Sequence, residues 1–103
     1  MRIRLFEKEE APAILAIQKK TPETAQWLAR DYFHLALLPG GMIIVADLET
    51  MTPPKVLGFV AIHRVMDEAE IQNLAVDPEH QRQGVARARE LLCESLCFFG
   101  VGR

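Results

Sequence analysis

A strand-turn-helix junction is predicted by the residues Val76-Asp77-Pro78-Glu79-His80-Gln81-Arg82-Gln83-Gly84-Val85-Ala86-Arg87. An apolar strand ends at Val76, Pro78 lies in the turn, and an amphipathic helix follows from Gly84. The first N–H groups of a helix have no partner inside it and carry a partial positive charge, so a helix start attracts anions. Gly84 lets a ligand approach the backbone closely, and Ala86 keeps the next turn narrow.

The charge around this helix start favours the same kind of ligand. Residues 80–89 include Arg82, Arg87 and Arg89 and no acid, although the whole chain has a net charge of −2. The pattern therefore predicts a pyrophosphate site. A purely structural interpretation stays open, in which Gly84 is a packing point and the arginines form a solvated face.

The remaining pattern predicts an α+β fold in the order β-α-α-β-β-β-α, with helices against a mixed, mostly antiparallel sheet. Strands are expected at residues 2–6, 42–47, 56–65 and 70–76, and helices at 7–20, 23–38 and 84–98. Pro12 fits only near a helix start. Gly58, inside a predicted strand, indicates a bulge or a close backbone approach. Trp27, Leu28 and Phe33 are expected to face the core.

Composition limits the possible functions. The chain has 103 residues, half of them hydrophobic and a quarter charged, as in one soluble globular domain. A pI near 5.9 argues against nucleic-acid binding. The longest apolar stretch is interrupted by Pro39-Gly40-Gly41 and is too short to span a membrane. Without a signal peptide or a disulfide framework, a cytoplasmic protein is expected.

The run from Gly58 through Leu92 resembles the GNAT superfamily of acetyl-CoA-dependent N-acetyltransferases. The family signature, [Gln/Arg]-x-x-Gly-x-[Gly/Ala], is met by Gln81, Gly84 and Ala86. The signature lies between an apolar strand with a terminal Val-x-Pro and an amphipathic helix, as in the family. The chain looks most similar to the branch that acetylates protein N-termini, including ribosomal-protein alanine acetyltransferases.

The resemblance implies acetyl-CoA as co-substrate and a primary amine, of a peptide or a small molecule, as acceptor. Backbone groups of Leu74, Ala75 and Val76 would pair with the pantetheine arm. An amide near Leu74 would stabilise the oxyanion, and Glu70 would be the general base. The pyrophosphate would be held by Gln81, Arg82, Gln83, Gly84, Val85, Ala86 and Arg87.

The chain corresponds to roughly the first two-thirds of a family domain, so we expect a single truncated domain over residues 1–103. On this comparison, we expect it to lack the family's last strands and helix, and with them the tyrosine that often protonates the thiolate. Tyr32, the only tyrosine, lies in the predicted second helix and is not assigned that role. Self-association to a homodimer is expected to cover the open edge of the fourth strand. The alternatives are a non-catalytic acyl-CoA-binding or dimerisation module, and a fold without a ligand.

Several candidate residues also have structural interpretations. Glu70 is an exposed strand charge in one of them, and Gln72 and Asn73 are polar residues of the sheet surface. No metal site is expected, since the histidines lack partners at ligand spacing. The remaining residues of this kind are His34, His63 and His80, interpreted as surface or loop residues, and Cys93 and Cys97, interpreted as small buried or interfacial groups.

Overall fold

The computed structural model describes residues 1–80 and 82–98, and the side chains of the second range as far as residue 96. Its sheet has four strands in the order β1-β2-β3-β4, and every pairing is antiparallel. The strands are β1 (Arg2–Leu5), β2 (Gly41–Leu48), β3 (Lys55–Val65) and β4 (Glu68–Val76). Within the described residues, β1 and β4 are the edge strands.

Three helices cover the two faces of this sheet. They are α1 (Ala11–Lys20), α2 (Ala29–Leu37) and α3 (Arg82–Phe98), with a short 3-10 turn, Lys8–Glu10, before α1. The α+β class and the order β-α-α-β-β-β-α are confirmed. None of the helices in the described part of the chain has the length and apolar character needed to cross a membrane.

The core consists of two apolar clusters, one on each face of the sheet. Helices α1 and α2 pack on one face, and α3 packs on the other. Alternate residues of the strands supply the two faces, as the two-residue period of a strand requires. The first cluster is centred on Ile14, Tyr32 and Phe59, and the second on Val60, Ala88 and Leu92.

The predicted second helix is too long at its N-terminus, because residues 21–28 form a loop. Side chains satisfy the backbone of this loop. The Gln26 amide donates to the carbonyl of Gln18 at 3.0 Å, and the Leu28 N–H donates to Asp31 Oδ2 at 2.8 Å. The first helix also starts late: residues 8–10 form the 3-10 turn, and Pro12 lies near the start of α1 as expected.

The late start of α2 changes which of its residues face the core. Tyr32 and Leu35 are buried, whereas Leu28 is 54% exposed and Trp27 and Phe33 are half-buried. The rings of Trp27 and Tyr32 still contact each other, with centroids 4.9 Å apart. The prediction that Leu28 faces the core is therefore wrong.

Gly58 marks both a bulge and a close approach. The β2–β3 register shifts beside it, because Ala46 pairs with Gly58 and Asp47 with Val56. A Cβ on Gly58 would lie 2.9 Å from the carbonyl oxygen of Ala75 and 3.2 Å from Leu92 Cδ1. The absence of a side chain therefore lets α3 pack directly on β3.

A buried ion-pair cluster joins β1 to β2. The Asp47 carboxylate is fully buried and accepts hydrogen bonds from Arg2 at 2.9 Å and from Arg4 at 2.6 Å. Arg4 also pairs with Glu10 in the 3-10 turn. Burial alone would raise the pKa of Asp47, but the hydrogen bonds from the two arginines outweigh it and hold that pKa below its usual value.

Candidate functional site

The last residues of β4 present main-chain groups on the free side of the described sheet. The Asp77 N–H donates to the carbonyl of Leu57 in β3 at 2.7 Å. Main-chain directions alternate along an antiparallel strand, so the N–H and C=O groups of Val76 and Leu74 point away from β3. The corresponding groups of Ala75, which lies opposite Phe59, point toward β3.

The side chains of this strand end belong to the core. Ala75 packs in the cluster under α1 and α2, whereas Val76 and Leu74 pack toward α3. A ligand beside β4 would therefore meet main chain rather than side chains, as the sequence predicted for Leu74, Ala75 and Val76. Of these three, Leu74 and Val76 offer their groups outward.

A bulge interrupts β4 just before this region. Ala61 of β3 lies opposite Asn73, but the next residue, Ile62, lies opposite Ile71, so Gln72 has no counterpart. Such an insertion bends a strand and redirects its main-chain groups. Sequence analysis missed this bulge. Its signal was the polar pair Gln72-Asn73 inside an otherwise apolar strand end.

Asn73 is buried, which corrects its interpretation as a sheet-surface residue. Its Nδ2 donates to the Tyr32 hydroxyl oxygen at 3.0 Å and to the carbonyl of Ala25 at 3.0 Å. Its Oδ1 accepts the Leu74 N–H at 3.2 Å. Asn73 thus joins the free side of β4 to α2 and to the loop between α1 and α2.

Tyr32 is fully buried and takes part in the same hydrogen-bond network. Its hydroxyl donates to Gln18 Oε1, and the Gln18 amide donates to the carbonyl of Trp27 at 2.7 Å. Burial raises the pKa of Tyr32 to about 12, against the opposing effect of the hydrogen bond from Asn73. Tyr32 therefore serves the core as a hydrogen-bonding group.

Glu70 lies on the other side of the bulge and is exposed. It faces His63 across the β3–β4 pairing, and the Gln72 amide lies 3.4 Å from Glu70 Oε2. Glu70 and His63 line an open pocket of about 500 Å³. His63 also lines a second pocket of about 400 Å³, together with Trp27 and Gln72. The carboxylate is therefore accessible to a ligand from solvent.

The other half of the predicted site is the start of α3, at Arg82. The first four N–H groups of an α-helix, here those of residues 82–85, have no partner within it. Arg82 and Arg87 are exposed, and Arg87 pairs with Glu90 at 3.1 Å, which offsets part of the local positive charge. Gln81, also predicted to bind the cofactor, lies outside the described residues.

His80 packs against Gly84 at this helix start. A Cβ on Gly84 would lie 2.2 Å from Cδ2 and 2.3 Å from Nε2 of the imidazole ring. Packing against His80 therefore explains why position 84 has no side chain, in addition to any contact with a ligand. His80 is a half-buried neighbour of the predicted site that sequence analysis classed only as surface or loop. Its i, i+4 spacing to Gly84 was the available signal.

A hydrogen-bonded turn holds the strand end close to the helix start. Asp77 is buried, and its Oδ1 accepts the Glu79 N–H at 2.9 Å. Lys20 of α1 lies 3.5 Å from the same carboxylate and 2.9 Å from Glu79. Outward groups on β4 are thus followed within six residues by the helix start. This arrangement fits a ligand with an amide-bearing arm and a diphosphate.

Outcomes for the other interpreted residues are mixed. His34 is exposed and His63 is half-buried. Cys93 is exposed, so a buried position for it is wrong, and the side chain of Cys97 lies outside the described part. Ala88, Leu92 and Leu96 form the buried face of α3, in agreement with the amphipathic helix predicted from Gly84.

Comparisons with known proteins show the family and the fold. The family model described as the acetyltransferase (GNAT) family matches residues 5–94. No curated protein matches the chain. Among solved structures, the ribosomal-protein-S18-alanine N-acetyltransferase from Escherichia coli is 26% identical, with a TM-score of 0.66. The match covers 92% of this chain and 58% of the Escherichia coli chain.

Two further solved structures share the fold. A Mycobacterium tuberculosis protein in complex with CoA and NLQ is 19% identical, with a TM-score of 0.69, over 98% of this chain and 60% of its own. A variant of the spermidine N-acetyltransferase SpeG from Vibrio cholerae is 18% identical, with a TM-score of 0.66, over 95% of this chain and 63% of its own. The chain thus spans about three-fifths of the length of these structures. With the family match extending over most of its residues, this chain belongs to the acetyltransferase (GNAT) family.

Proposed function

We propose that this chain binds acetyl-CoA and transfers the acetyl group to a primary amine, either a peptide N-terminus or a small amine. The proposal rests on one observation: the outward main-chain groups of Leu74 and Val76 are followed closely in the chain by the helix start at Arg82. Three similar structures support it: one acts on a ribosomal-protein alanine, one on spermidine, and one is in complex with CoA.

In this proposal, the coenzyme lies along the end of β4. Its pantetheine amides pair with the outward carbonyl of Leu74 and the outward groups of Val76, and the Leu74 N–H is left for the thioester oxygen. Its diphosphate receives N–H groups of the helix start, where Gly84 keeps the backbone approachable and Arg82 and Arg87 add positive charge. Of the cofactor-binding residues predicted from the sequence, this proposal keeps Leu74, Val76 and residues 81–87. The main-chain groups of Ala75 are used in the sheet instead.

The proposed chemistry is direct attack by a neutral amine. An α-amino group, with a pKa near 8, is mostly protonated at pH 7, so Glu70 accepts its proton. The nitrogen then bonds to the thioester carbonyl carbon and the C–S bond breaks. The Leu74 N–H, shared with Asn73 Oδ1 in a three-centre hydrogen bond, donates to the carbonyl oxygen. The nitrogen loses its second proton to solvent, and the CoA thiolate leaves and takes up a proton from solvent. Buried Tyr32 is not its source.

We also propose that a second copy of the chain pairs with the first half of β4. The bulge at Gln72 divides the edge, so pairing before it leaves Leu74 and Val76 for the coenzyme. Exposed apolar side chains cluster in the first half and the adjoining turn, with Met66 at 90% and Ile71 at 47% exposure. The same proposal keeps the cytoplasmic location predicted from the sequence.

The test is to measure acetyl-CoA binding and thiol release on the same protein. Saturation at a hundred times the dissociation constant should stabilise the fold by about 2.7 kcal/mol, seen as a higher melting temperature. Addition of an amine peptide or of spermidine should then release free thiol. Binding without thiol release would favour the non-catalytic acyl-CoA-binding module, and neither signal would favour a fold without a ligand.

A further inference from the structure

We propose that Asn73 is a positioning residue for acyl transfer, because one side chain holds both the Leu74 N–H and the loop between α1 and α2. The inference rests on the proposed function, in which that N–H is shared between Asn73 Oδ1, which fixes its direction, and the thioester oxygen. Asn73 itself would touch neither substrate. It acts through the Leu74 main chain and through the loop.

The hydrogen bonds of Asn73 are fully committed. Both hydrogens of its amide group have acceptors, the Tyr32 hydroxyl oxygen and the carbonyl of Ala25, each at 3.0 Å. Its oxygen accepts the Leu74 N–H at 3.2 Å. Since the side chain is buried, loss of any of these partners leaves a polar group without solvent. Its orientation is therefore fixed.

Tyr32 determines which groups of the network donate and which accept hydrogen bonds. The tyrosine has a single proton, which it donates to Gln18 Oε1, so its oxygen accepts from Asn73. The Gln18 amide then donates to the carbonyl of Trp27 at 2.7 Å. The network thus reaches the loop at two points, Ala25 and Trp27, and ends at the Leu74 N–H.

The position of Leu74 gives this network a consequence for chemistry. After the bulge at Gln72 and after Asn73, Leu74 is the first residue whose main-chain N–H and C=O groups face outward. A bulge allows several local directions, and the hydrogen bond to Asn73 selects one of them. Trp27, at the other end of the network, lines the pocket that also contains Gln72 and His63. In this proposal the acceptor amine enters that pocket, which shares His63 with the pocket at Glu70, so Asn73 aligns the acyl site with one of its walls.

Tyr32→Phe tests the link, since it removes only the hydroxyl and keeps the ring contacts with Trp27 and Phe59. We expect kcat to fall on the order of tenfold, as misplaced donors do, with the acetyl-CoA dissociation constant within about twofold. The Leu74 amide proton should shift upfield in NMR spectra of the coenzyme-free protein, because its acceptor is no longer held.

The matched control is Thr21→Val. It also removes a buried hydroxyl, which donates to the main-chain carbonyls of Ile17 at 3.0 Å and Gln18 at 3.2 Å and lies outside the side-chain network of Gln18, Tyr32 and Asn73. It should lower the melting temperature while leaving kcat and the Leu74 resonance unchanged. In an Asn73→Ala background, Tyr32→Phe should have no further effect on kcat, because the two residues act in one network.

The positioning role is overturned if Tyr32→Phe behaves like Thr21→Val, with a lower melting temperature but wild-type kcat and Leu74 resonance. Additive effects of Tyr32→Phe and Asn73→Ala on kcat would also contradict it. Failure of the proposed function gives a different result: the wild-type chain itself would release no thiol. The Leu74 resonance would then decide separately whether Asn73 holds that amide.

Discussion

Glu70 is the residue on which the proposed proton transfer depends. Glu70→Gln should slow thiol release by about a hundredfold or more, most strongly near neutral pH, where the amine must lose a proton. The melting temperature should stay constant because the side chain is exposed. Glu68→Gln is the control, since it removes the same charge from an exposed site on the same strand. Equal rates for the two variants would remove Glu70 from the mechanism.

Gly84 combines a packing role with the proposed ligand role, and Gly84→Ala separates them. Alanine favours a helix by up to about 1 kcal/mol over glycine, which offsets the cost of displacing the His80 ring. We therefore expect a nearly unchanged melting temperature and at least tenfold weaker acetyl-CoA binding, measured by calorimetry.

The double variant His80→Ala/Gly84→Ala supplies the control for this prediction. With the ring removed, the methyl group at position 84 has space, so any remaining loss of affinity comes from contact with the ligand. Wild-type affinity in the double variant would assign the effect to His80 instead.

Asp47 is expected to contribute to the loss of folding free energy at acidic pH. Its folded pKa lies below the unfolded value of about 3.9, so its contribution is complete above that value and is lost as the pH falls through the folded pKa. Asp47→Asn should lower the free energy of unfolding at neutral pH by about 3 kcal/mol, because it breaks a buried pair. It should also flatten the decline below pH 4, measured by urea unfolding across pH. A parallel decline in both proteins would contradict the assignment.

At this scale, the sequence predicts residues whose role follows from local chemistry. Gly84 and Glu70 could be placed because a helix start and a strand position are local features. The hydrogen bond between Asn73 and Tyr32 could not be predicted, because the two residues lie 41 positions apart in the chain. Their burial depends on how α2 crosses the sheet.

Among the elements, β3 packs tightly against both β4 and α3 at Gly58. Gly58→Ala would place a methyl group 2.9 Å from the Ala75 oxygen and 3.2 Å from Leu92 Cδ1. The free energy of unfolding should fall by about 1–3 kcal/mol, as for other overpacked cores, measured by urea denaturation. An unchanged denaturation midpoint would show that α3 can shift without cost.

Element boundaries show where local patterns stop being sufficient. The strands were predicted to within a few residues because their apolar alternation matches a half-buried sheet. The sequence pattern extends the second helix back to residue 23, since nothing local indicates that Gln18, Gln26 and Asn73 hold residues 21–28 as a loop. The β4 bulge was missed for the same reason, since register is a property of two strands.

For the whole molecule, the proposed dimer depends on the first half of β4. Ile71→Lys should shift the protein toward monomer in sedimentation experiments, because a charged edge residue opposes strand pairing. Coenzyme binding should be retained, since Leu74 and Val76 lie beyond the bulge. A wild-type protein that sediments as a clean monomer at tens of micromolar would rule out the dimer.

The family and the overall layout were predictable because the motif at residues 81–86 combines a strand end, a turn and a helix start. The acceptor was not predictable. The two pockets near Glu70 are open and lined by loop and hairpin residues, which no motif in the chain specifies. Their shape results from the packing of α2 against the bulged strand.

The most direct test of the central claim compares the binding of acetyl-CoA and of S-acetylpantetheine, which lacks the diphosphate and the nucleotide. If the start of α3 holds the diphosphate, acetyl-CoA should bind and raise the melting temperature, whereas S-acetylpantetheine should bind at least a hundredfold more weakly. Equal affinities for the two ligands, or no binding of either at millimolar concentration, would contradict the account.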